Sequence, residues 1–261
     1  METRNWIVVE SGGQQLFGVV HRPKEQKNVP IVVVMHGFAS SKHGTHRCYV
    51  TFAEELAKQG IATLRFDFRG AGDSEGTIST ASFEDLINDA NAALRHSDSL
   101  EGIDSSRIGI FGSSLGATIA VLAAERHGKI KAMTLWSPIA SGELWVHDFM
   151  TQNPQMSRND PQEVLSSYKG IALSPLFKQQ FARMSAAKTI EKLDYVPLLH
   201  MHGECDTTVS LLHQQVYKLH CEGRAAPTRF ISYPDTDHQL SGTKIFNEAI
   251  QETITWFKQH L

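Results

Sequence analysis

Apolar positions along the chain follow two spacings. Short runs of consecutive apolar residues predict buried strands, and apolar residues three and four positions apart predict helices packed on them. The predicted strands are Asn5–Glu10, Gln14–His21, Pro30–Met35, Ala62–Phe66, Arg107–Phe111, Lys131–Trp136, Leu198–His202 and Thr228–Tyr233. The predicted helices are Tyr49–Gln59, Ser82–Arg95, Leu115–Arg126, Leu211–His220 and Lys244–Gln259. Ser11-Gly12-Gly13 joins the first two strands in the pattern of a hairpin.

Strands that alternate with helices predict an α/β fold, in which a mostly parallel sheet carries helices on both faces. Ligands of such sheets bind beyond the carboxyl ends of the strands. Four candidate positions follow predicted strands, namely His36-Gly37, Ser114, Asp206 and His238. We therefore expect them at one edge of the sheet.

Residues 140–193 do not fit this alternation, because they form a long connection between two strands. Pro154, Pro161 and Pro175 divide the segment into predicted short helices among scattered aromatic residues. We interpret it as a helical cap inserted after the sixth strand, on a core formed by residues 1–139 and 194–261. The alternative is a surface excursion that packs on the core.

Composition narrows the function classes. The chain has 261 residues and a formal net charge of −3, without a basic run, which argues against nucleic-acid binding. Its longest apolar run is too short for a membrane span, and the first residues do not resemble a secretory signal. Three widely spaced cysteines fit reduced thiols, and we expect a cytoplasmic protein.

Metal ligands and cofactor motifs are not predicted. The three cysteines form no Cys-x-x-Cys pair, and the 13 histidines show no convincing ligand spacing. The strongest metal alternative is the group His36, His43 and His46 near one loop. We expect these side chains to form hydrogen bonds, and we predict no metal and no cofactor.

A Gly-x-Ser-x-Gly motif, Gly112-Ser113-Ser114-Leu115-Gly116, lies at a predicted strand-to-helix junction. This context is typical of a nucleophile elbow, a tight turn whose glycines avoid clashes and whose central serine projects from the sheet. The motif predicts Ser114 as the nucleophile of a serine hydrolase. The alternative is a turn in which the two serines only cap the next helix.

A serine nucleophile needs a base and a group that orients the base. His238 follows the last strand and is the predicted base. Asp206 follows the preceding strand and is the predicted acid, although an aspartate there also suits a helix N-cap. The rival carboxylates are Glu204, Asp235 and Asp237.

Attack on a carbonyl produces an oxyanion, which needs donors already in place. The predicted donors are the N–H of Leu115, which follows the nucleophile, and the N–H of Phe38 in the loop after Met35. Phe38 is otherwise one more buried aromatic side chain. No substrate-binding residue is identified.

Residues 65–76 are rich in glycine and charge. We expect a structural loop held by ion pairs of Asp67, Arg69 and Asp73. The loop lacks the glycine and lysine spacing of a phosphate-binding site.

These motifs together resemble the α/β-hydrolases over nearly the whole chain. They occur in the family's order: His36-Gly37-Phe38, Arg65–Ser74, Gly112–Gly116, His202-Gly203-x-x-Asp206 and Asp237-His238. Within that superfamily the chain is similar to small bacterial carboxylesterases of the cinnamoyl and feruloyl esterase type. The resemblance implies an eight-stranded, mostly parallel sheet, Ser114, His238 and Asp206 as catalytic triad, and Phe38 and Leu115 as oxyanion hole.

The resulting hypothesis is a cofactor-independent esterase for small-molecule esters with small to medium acyl groups. A thioesterase, acyltransferase or peptidase with the same triad stays open, because one fold hosts all of these. From another class, a hydrolase fold without activity would act as a binding module. Many relatives dimerise, so a homodimer also stays open.

Overall fold

A sheet of eight strands forms the centre of the computed structural model, which describes residues 2–152 and 170–261. The strands are β1 (Glu2–Ser11), β2 (Gln14–Pro23), β3 (Val29–Met35), β4 (Ala62–Phe66), β5 (Ile103–Ser113), β6 (Ile130–Trp136), β7 (Leu198–Gly203) and β8 (Thr228–Tyr233). Their order is β1-β2-β4-β3-β5-β6-β7-β8. The β1–β2 and β2–β4 pairs are antiparallel and the others are parallel. The predicted mostly parallel sheet is confirmed.

Strand β5 begins before the predicted boundary. Ile103 already pairs with Val29, and a register shift separates this pair from the regular ladder that begins at Ile108 and Ile31. Residues 104–107 are polar, so the pattern of apolar positions did not indicate the first part of this strand. At the other end of the sheet, Gly12 and Gly13 both have positive φ angles in the β1–β2 turn, which suits the predicted hairpin.

Helices cover both faces of the sheet. Those described are α1 (Cys48–Lys58), α2 (Phe83–Asp98), α3 (Leu115–His127), α4 (Gly142–Gln152), α5 (Pro175–Arg183), α6 (Ala186–Thr189), α7 (Leu211–His220) and α8 (Thr243–His260). One apolar cluster joins the sheet to α2 and α3, and a separate cluster joins the opposite face to α1 and α8. Strand β3 is buried along its whole length, as its continuous apolar run predicts.

Helix α2 illustrates how local sequence fixes an element that supports the site. Ser82 Oγ accepts a hydrogen bond from the Asp85 N–H, and the Asp85 carboxylate accepts one from the Ser82 N–H. This reciprocal pair satisfies two backbone donors that the helix leaves unpaired. This capping box fixes the start of the helix.

The described parts of the segment between β6 and β7 pack against that helix start. Ser174 Oγ donates to the Ala81 carbonyl at 2.7 Å, and the Phe177 ring lies edge-on to Phe83 with centroids 5.6 Å apart. Pro175 occupies the first turn of α5, where its missing N–H costs nothing. The division into a core and a cap of residues 140–193 stays a prediction, and Pro154 and Pro161 lie outside the described residues.

In the described part of the chain, no helix combines the length and the apolar character that a membrane span requires.

Candidate active site

The turn between β5 and α3 places Ser114 at the edge of the sheet. Ser114 has φ 55° and ψ −126°, a conformation uncommon for a residue with a side chain. A Cβ on Gly112 would lie 2.5 Å from Ala117 Cα, and one on Gly116 would lie 2.3 Å from the His36 carbonyl oxygen. Only glycine fits at these two positions, so the motif's glycines are required by the close approach of the backbone.

The structure brings the three predicted catalytic side chains together. His238 Nε2 lies 2.9 Å from Ser114 Oγ, and His238 Nδ1 lies 2.6 Å from Asp206 Oδ2. The imidazole therefore donates its Nδ1–H to the carboxylate and presents Nε2 as an acceptor to the serine hydroxyl. Asp206 is buried, whereas Ser114 and His238 are half-buried. This arrangement can move a proton from a reachable hydroxyl to a base.

Asp206 is held by backbone donors as well as by histidines. Its Oδ1 accepts hydrogen bonds from the N–H groups of Thr208 and Val209, both at 2.8 Å. Its Oδ2 also lies 3.4 Å from His202 Nε2. Burial alone would raise the Asp206 pKa, but its hydrogen bonds to His202 and His238 outweigh burial and hold that pKa well below its usual value. The carboxylate is therefore ionised at neutral pH.

The rival carboxylates do not face the imidazole as Asp206 does. Glu204 and Asp235 are exposed. Asp237 Oδ1 instead accepts the N–H groups of Gln239 and Ser241, which shapes the loop that carries His238.

Backbone contacts tie the acid loop to the base loop. The Glu204 N–H donates to the Tyr233 carbonyl, and the Cys205 N–H donates to the Thr236 carbonyl, both at 2.9 Å. A Cβ on Gly203 would come within 2.3 Å of that Thr236 oxygen. The two loops can approach this closely because the residue before the acid turn is glycine. These main-chain hydrogen bonds therefore fix the distance between the loops that carry Asp206 and His238.

The predicted oxyanion donors lie on the other side of Ser114. A Cβ on Gly37 would lie 3.2 Å from Ser114 Cβ, so the loop after β3 passes directly beside the nucleophile position. Leu115 is the first residue of α3, where unpaired N–H groups and the helix dipole favour negative charge. Phe38, Ser114 and Leu115 line one common cavity. The donor roles of Phe38 and Leu115 stay predictions.

His36 fixes the start of this loop. Its Nδ1–H donates to the Gly37 carbonyl at 2.8 Å, and its Nε2 accepts the Phe68 N–H at 3.1 Å. Burial lowers the pKa of His36, which keeps the ring neutral in this donor–acceptor arrangement. Among residues 2–152 and 170–261, no group of His, Cys, Asp and Glu side chains has the arrangement of a metal site.

Ion pairs hold the loop at residues 65–76, as the sequence predicts. Asp67 and Asp73 both bind Lys42 Nζ, at 2.5 and 2.8 Å, and Arg69 binds Asp89 at 2.6 Å. The predicted ion pairs of Asp67, Arg69 and Asp73 are therefore confirmed, and their partners Lys42 and Asp89 come from outside the loop. The sequence did not indicate that Lys42 is buried and paired, because a lysine in a loop is usually exposed.

The cavity beside Ser114, which we call the inner cavity, has a volume of about 400 Å³ that includes part of the solvent at its mouth. Its other walls are apolar or aromatic: Phe38, Leu115, Ile139, Trp145, Leu173, Phe177, Phe181 and Val209, with Thr208. No Asp, Glu, Lys or Arg is among the described residues that line it. The sequence did not indicate these walls, because they come from distant segments of no fixed spacing.

Comparison with known proteins identifies the family of this chain and several relatives. Residues 26–244 match the profile of a family described as serine aminopeptidase, S33. The putative esterase YitV of Bacillus subtilis is 26% identical over 265 residues, which cover 95% of this chain and 96% of YitV. The quorum-quenching protein AidA of Acinetobacter baumannii is 32% identical over 138 residues, 52% of this chain. The chain covers only 44% of AidA.

Solved structures share the fold at low sequence identity. Est1E from Butyrivibrio proteoclasticus, solved with bound ferulic acid, has a TM-score of 0.77 and 20% identity, and the match covers 96% of this chain and 98% of Est1E. The esterase Pf2001 of Pyrococcus furiosus has a TM-score of 0.76 and 20% identity, with 99% and 91% of the two chains covered.

Proposed function

The chain belongs to the family described as serine aminopeptidase, S33, and on that premise we propose that it cleaves carboxylic esters of small to medium acyl groups through an acyl-enzyme. The observation that carries this proposal is the hydrogen-bonded series Asp206, His238 and Ser114 at the mouth of an apolar cavity. The resemblance to α/β-hydrolases and to small bacterial esterases is confirmed by these matches and by the eight-stranded fold.

In the acylation step, Ser114 Oγ attacks the ester carbonyl carbon while His238 Nε2 takes the hydroxyl proton. Asp206 stabilises the imidazolium through the Nδ1–H, to which it is bonded at 2.6 Å. The carbonyl oxygen becomes an anion, which the N–H groups of Phe38 and Leu115 bind. When the tetrahedral adduct collapses, the carbon–oxygen bond to the alcohol breaks and His238 gives its proton to the leaving alcohol.

In the deacylation step, water replaces the alcohol. His238 takes a proton from that water, and the resulting hydroxide attacks the acyl carbon of the ester on Ser114. The acid is released and the proton returns to Ser114 Oγ, so the enzyme is restored without a cofactor.

The inner cavity supports an acyl group rather than a charged ligand. Its walls are mostly apolar, and Trp145 Nε1, the polar atom of its largest side chain, donates to the Thr208 carbonyl at 2.9 Å. Burying an alkyl or flat aromatic acyl chain there releases water from apolar surface.

The same cavity argues against an aminopeptidase, despite the family's descriptive name. An aminopeptidase must bind the positively charged amino terminus of its substrate, which needs a carboxylate. The described residues around the inner cavity include neither Asp nor Glu. Ester substrates therefore fit this chain better than peptides with a free amino end.

Substitution of the nucleophile tests the proposal directly. We expect Ser114→Ala to reduce hydrolysis of p-nitrophenyl butyrate by several orders of magnitude and to abolish labelling by a fluorophosphonate probe, because it removes the hydroxyl that His238 Nε2 contacts. Thermal unfolding should show that the variant stays folded. Ser113→Ala is the matched control and should keep its labelling.

Retention of full activity in Ser114→Ala, or failure of the folded wild-type protein to react with the probe, would reject Ser114 as nucleophile. Retained activity would move the nucleophile to Ser113 or another residue, whereas a wild-type protein that does not react would leave the fold as a binding module.

A further inference from the structure

The indole of Trp145 is connected to the acid of the proposed triad through one peptide group. Trp145 Nε1 donates to the Thr208 carbonyl at 2.9 Å, and the N–H of the next residue, Val209, donates to Asp206 Oδ1 at 2.8 Å. The Thr208 carbonyl and the Val209 N–H are the two ends of the same peptide unit. A continuous series of hydrogen bonds therefore leads from Trp145 to the carboxylate that binds His238.

Each bond in this series can have only one direction. An indole N–H only donates, whereas a carbonyl oxygen and an ionised carboxylate only accept. The bond from Trp145 polarises the peptide at the Thr208 oxygen, which makes the Val209 N–H a stronger donor to the carboxylate. Trp145, Val209 and Asp206 are all buried, which limits competition from water. The indole therefore strengthens a bond that holds the acid.

The acid turn, residues 206–209, is also held from the sheet. His202 Nε2 in β7 lies 2.7 Å from the Val209 carbonyl oxygen, so this nitrogen carries the ring proton and donates it. Trp145 approaches the turn from α4, 63 residues before Thr208. Its bond therefore ties the acid turn to the segment between β6 and β7, which supplies walls of the inner cavity.

The two parts of the Trp145 side chain have different partners. The ring lines the inner cavity and packs against Phe149 and Phe181, with centroids 5.2 and 5.7 Å away. The N–H edge binds the acid turn. Phenylalanine at this position keeps an aromatic wall and lacks the N–H, so one substitution separates the two roles.

We propose that Trp145 is a positioning residue of the triad, which holds Asp206 through one peptide group of the acid turn. The acid must keep the imidazole of His238 in one orientation while the imidazolium forms. A bond that fixes the acid therefore stabilises the transition state more than the bound ester, and its loss lowers kcat more than it changes KM. The inference rests on the proposed ester hydrolysis.

Two Trp→Phe variants test this role. Trp145→Phe should lower kcat for p-nitrophenyl butyrate roughly three- to tenfold, which is the contribution of one hydrogen bond between uncharged groups. Trp136→Phe is the matched control, because Trp136 Nε1 donates to Thr253 Oγ1 at 3.1 Å on the opposite face of the sheet. It loses a similar buried bond and should keep the kcat of the wild type. Equal kcat values in the two folded variants would overturn the proposal.

A double-mutant cycle shows whether Trp145 acts through Asp206. Trp145→Phe should have almost no further effect on kcat in a protein that already carries Asp206→Ala, because no carboxylate is left for the peptide to hold. A role of the indole in the cavity wall or in stability alone would lower kcat by the same factor with and without Asp206→Ala. Equal factors would therefore contradict the positioning role.

Labelling separates this inference from the proposed function. A fluorophosphonate probe needs an activated serine but no ester, so its reaction rate should also fall roughly three- to tenfold in Trp145→Phe and stay unchanged in Trp136→Phe. If this difference appears in a protein that hydrolyses no ester, the ester proposal fails and the positioning role stands. If esters are hydrolysed and Trp145→Phe reacts at the wild-type rate, the positioning role alone fails.

The proton between His238 and Asp206 gives a readout that needs no reaction. Its ¹H NMR resonance, assigned by its absence in His238→Ala, should shift in Trp145→Phe because the acid is held less firmly. The resonance should stay in place in Trp136→Phe. The same resonance position in the wild type and both Trp→Phe variants would overturn the inference, even for a protein that does not react with the probe.

Discussion

Two hydrogen-bonded series of acids and bases occur in this molecule, and they differ in how they end. The first runs from buried Asp206 through His238 to the half-buried hydroxyl of Ser114. The second lies behind the loop after β3. It runs from Glu2 through His21, Arg65 and Lys42 to Asp67, and we call it the buried network.

Each side chain of the buried network has a hydrogen-bonding partner within the network. His21 Nδ1 lies 2.7 Å from Glu2, and Arg65 Nε donates to His21 Nε2 at 3.0 Å. Arg65 also donates to the Lys42 carbonyl, and the Lys42 N–H and Nζ each bind one oxygen of Asp67 at 2.5 Å. The Lys42 and Asp67 side chains are both 0% exposed.

The comparison shows what separates a structural from a reactive arrangement. In the buried network each proton already has a fixed donor and acceptor, so burial of the charges holds the loop that contains Phe38. In the series that ends at Ser114, the last hydroxyl opens to a cavity and the base beside it can accept a proton. Similar residue types therefore have a structural role where the last group is buried, as Asp67 is, and can react where it faces a cavity, as the Ser114 hydroxyl does.

The largest expected effect tests the series Asp206, His238 and Ser114, which we call the open series. Asp206→Asn should reduce kcat for p-nitrophenyl butyrate by about 10³- to 10⁴-fold, because an amide no longer holds the imidazole in the tautomer that accepts the serine proton. Glu204→Gln, an exposed position on the same loop, is the control and should stay within a fewfold of the wild type. Activity near the wild-type level in Asp206→Asn would move the acid role to another carboxylate.

The next effect tests the buried network and concerns the free energy of unfolding. Lys42→Met removes the ammonium group that pairs with buried Asp67 and leaves this carboxylate with backbone N–H donors, which should lower the free energy of unfolding by about 3–5 kcal/mol. Urea unfolding measures this loss. At temperatures well below the transition, turnover should fall far less than in Asp206→Asn.

Two controls show whether the loss comes from the buried charge. Adding Asp67→Asn to Lys42→Met removes the uncompensated carboxylate and should recover part of the stability. Lys58→Met breaks an exposed pair with Glu55 and should change stability little. If Lys42→Met and Lys58→Met unfold alike, the buried network does not hold the loop.

The residues of the open series were predictable from the sequence, whereas those of the buried network were not. Ser114, Asp206 and His238 each follow a strand, and parallel strands bring their carboxyl ends to one edge. Chain order and turn glycines therefore indicated these residues together. Burial of Lys42 depends on Asp67 and Asp73 from another loop, and no local pattern encodes such a meeting.

The same limit applies to the inner cavity. Trp145 and Phe181 both line it, although they are distant in sequence. Periodicity identifies which helix face is buried, but it does not identify which side chains at the helix ends converge. Substrate recognition therefore had to be taken from the structure.

The smallest expected effect is a difference in how stability depends on pH. Burial lowers the pKa of His21 from its ordinary value of 6.5, and the nearby Arg65 charge lowers it further, although the Glu2 carboxylate opposes both. As the pH falls below 6.5, the unfolded chain therefore takes up a proton that the folded His21 resists, and stability is lost. His21→Gln lacks this group, so its unfolding midpoint should fall less steeply between pH 7 and pH 5, even if it is lower at pH 7. Buried His36 and His213 contribute a slope of the same sign and are present in both proteins, so only the difference between the two curves counts. Parallel curves would mean that His21 takes up a proton as readily in the folded as in the unfolded chain, so the buried network would not hold this ring neutral.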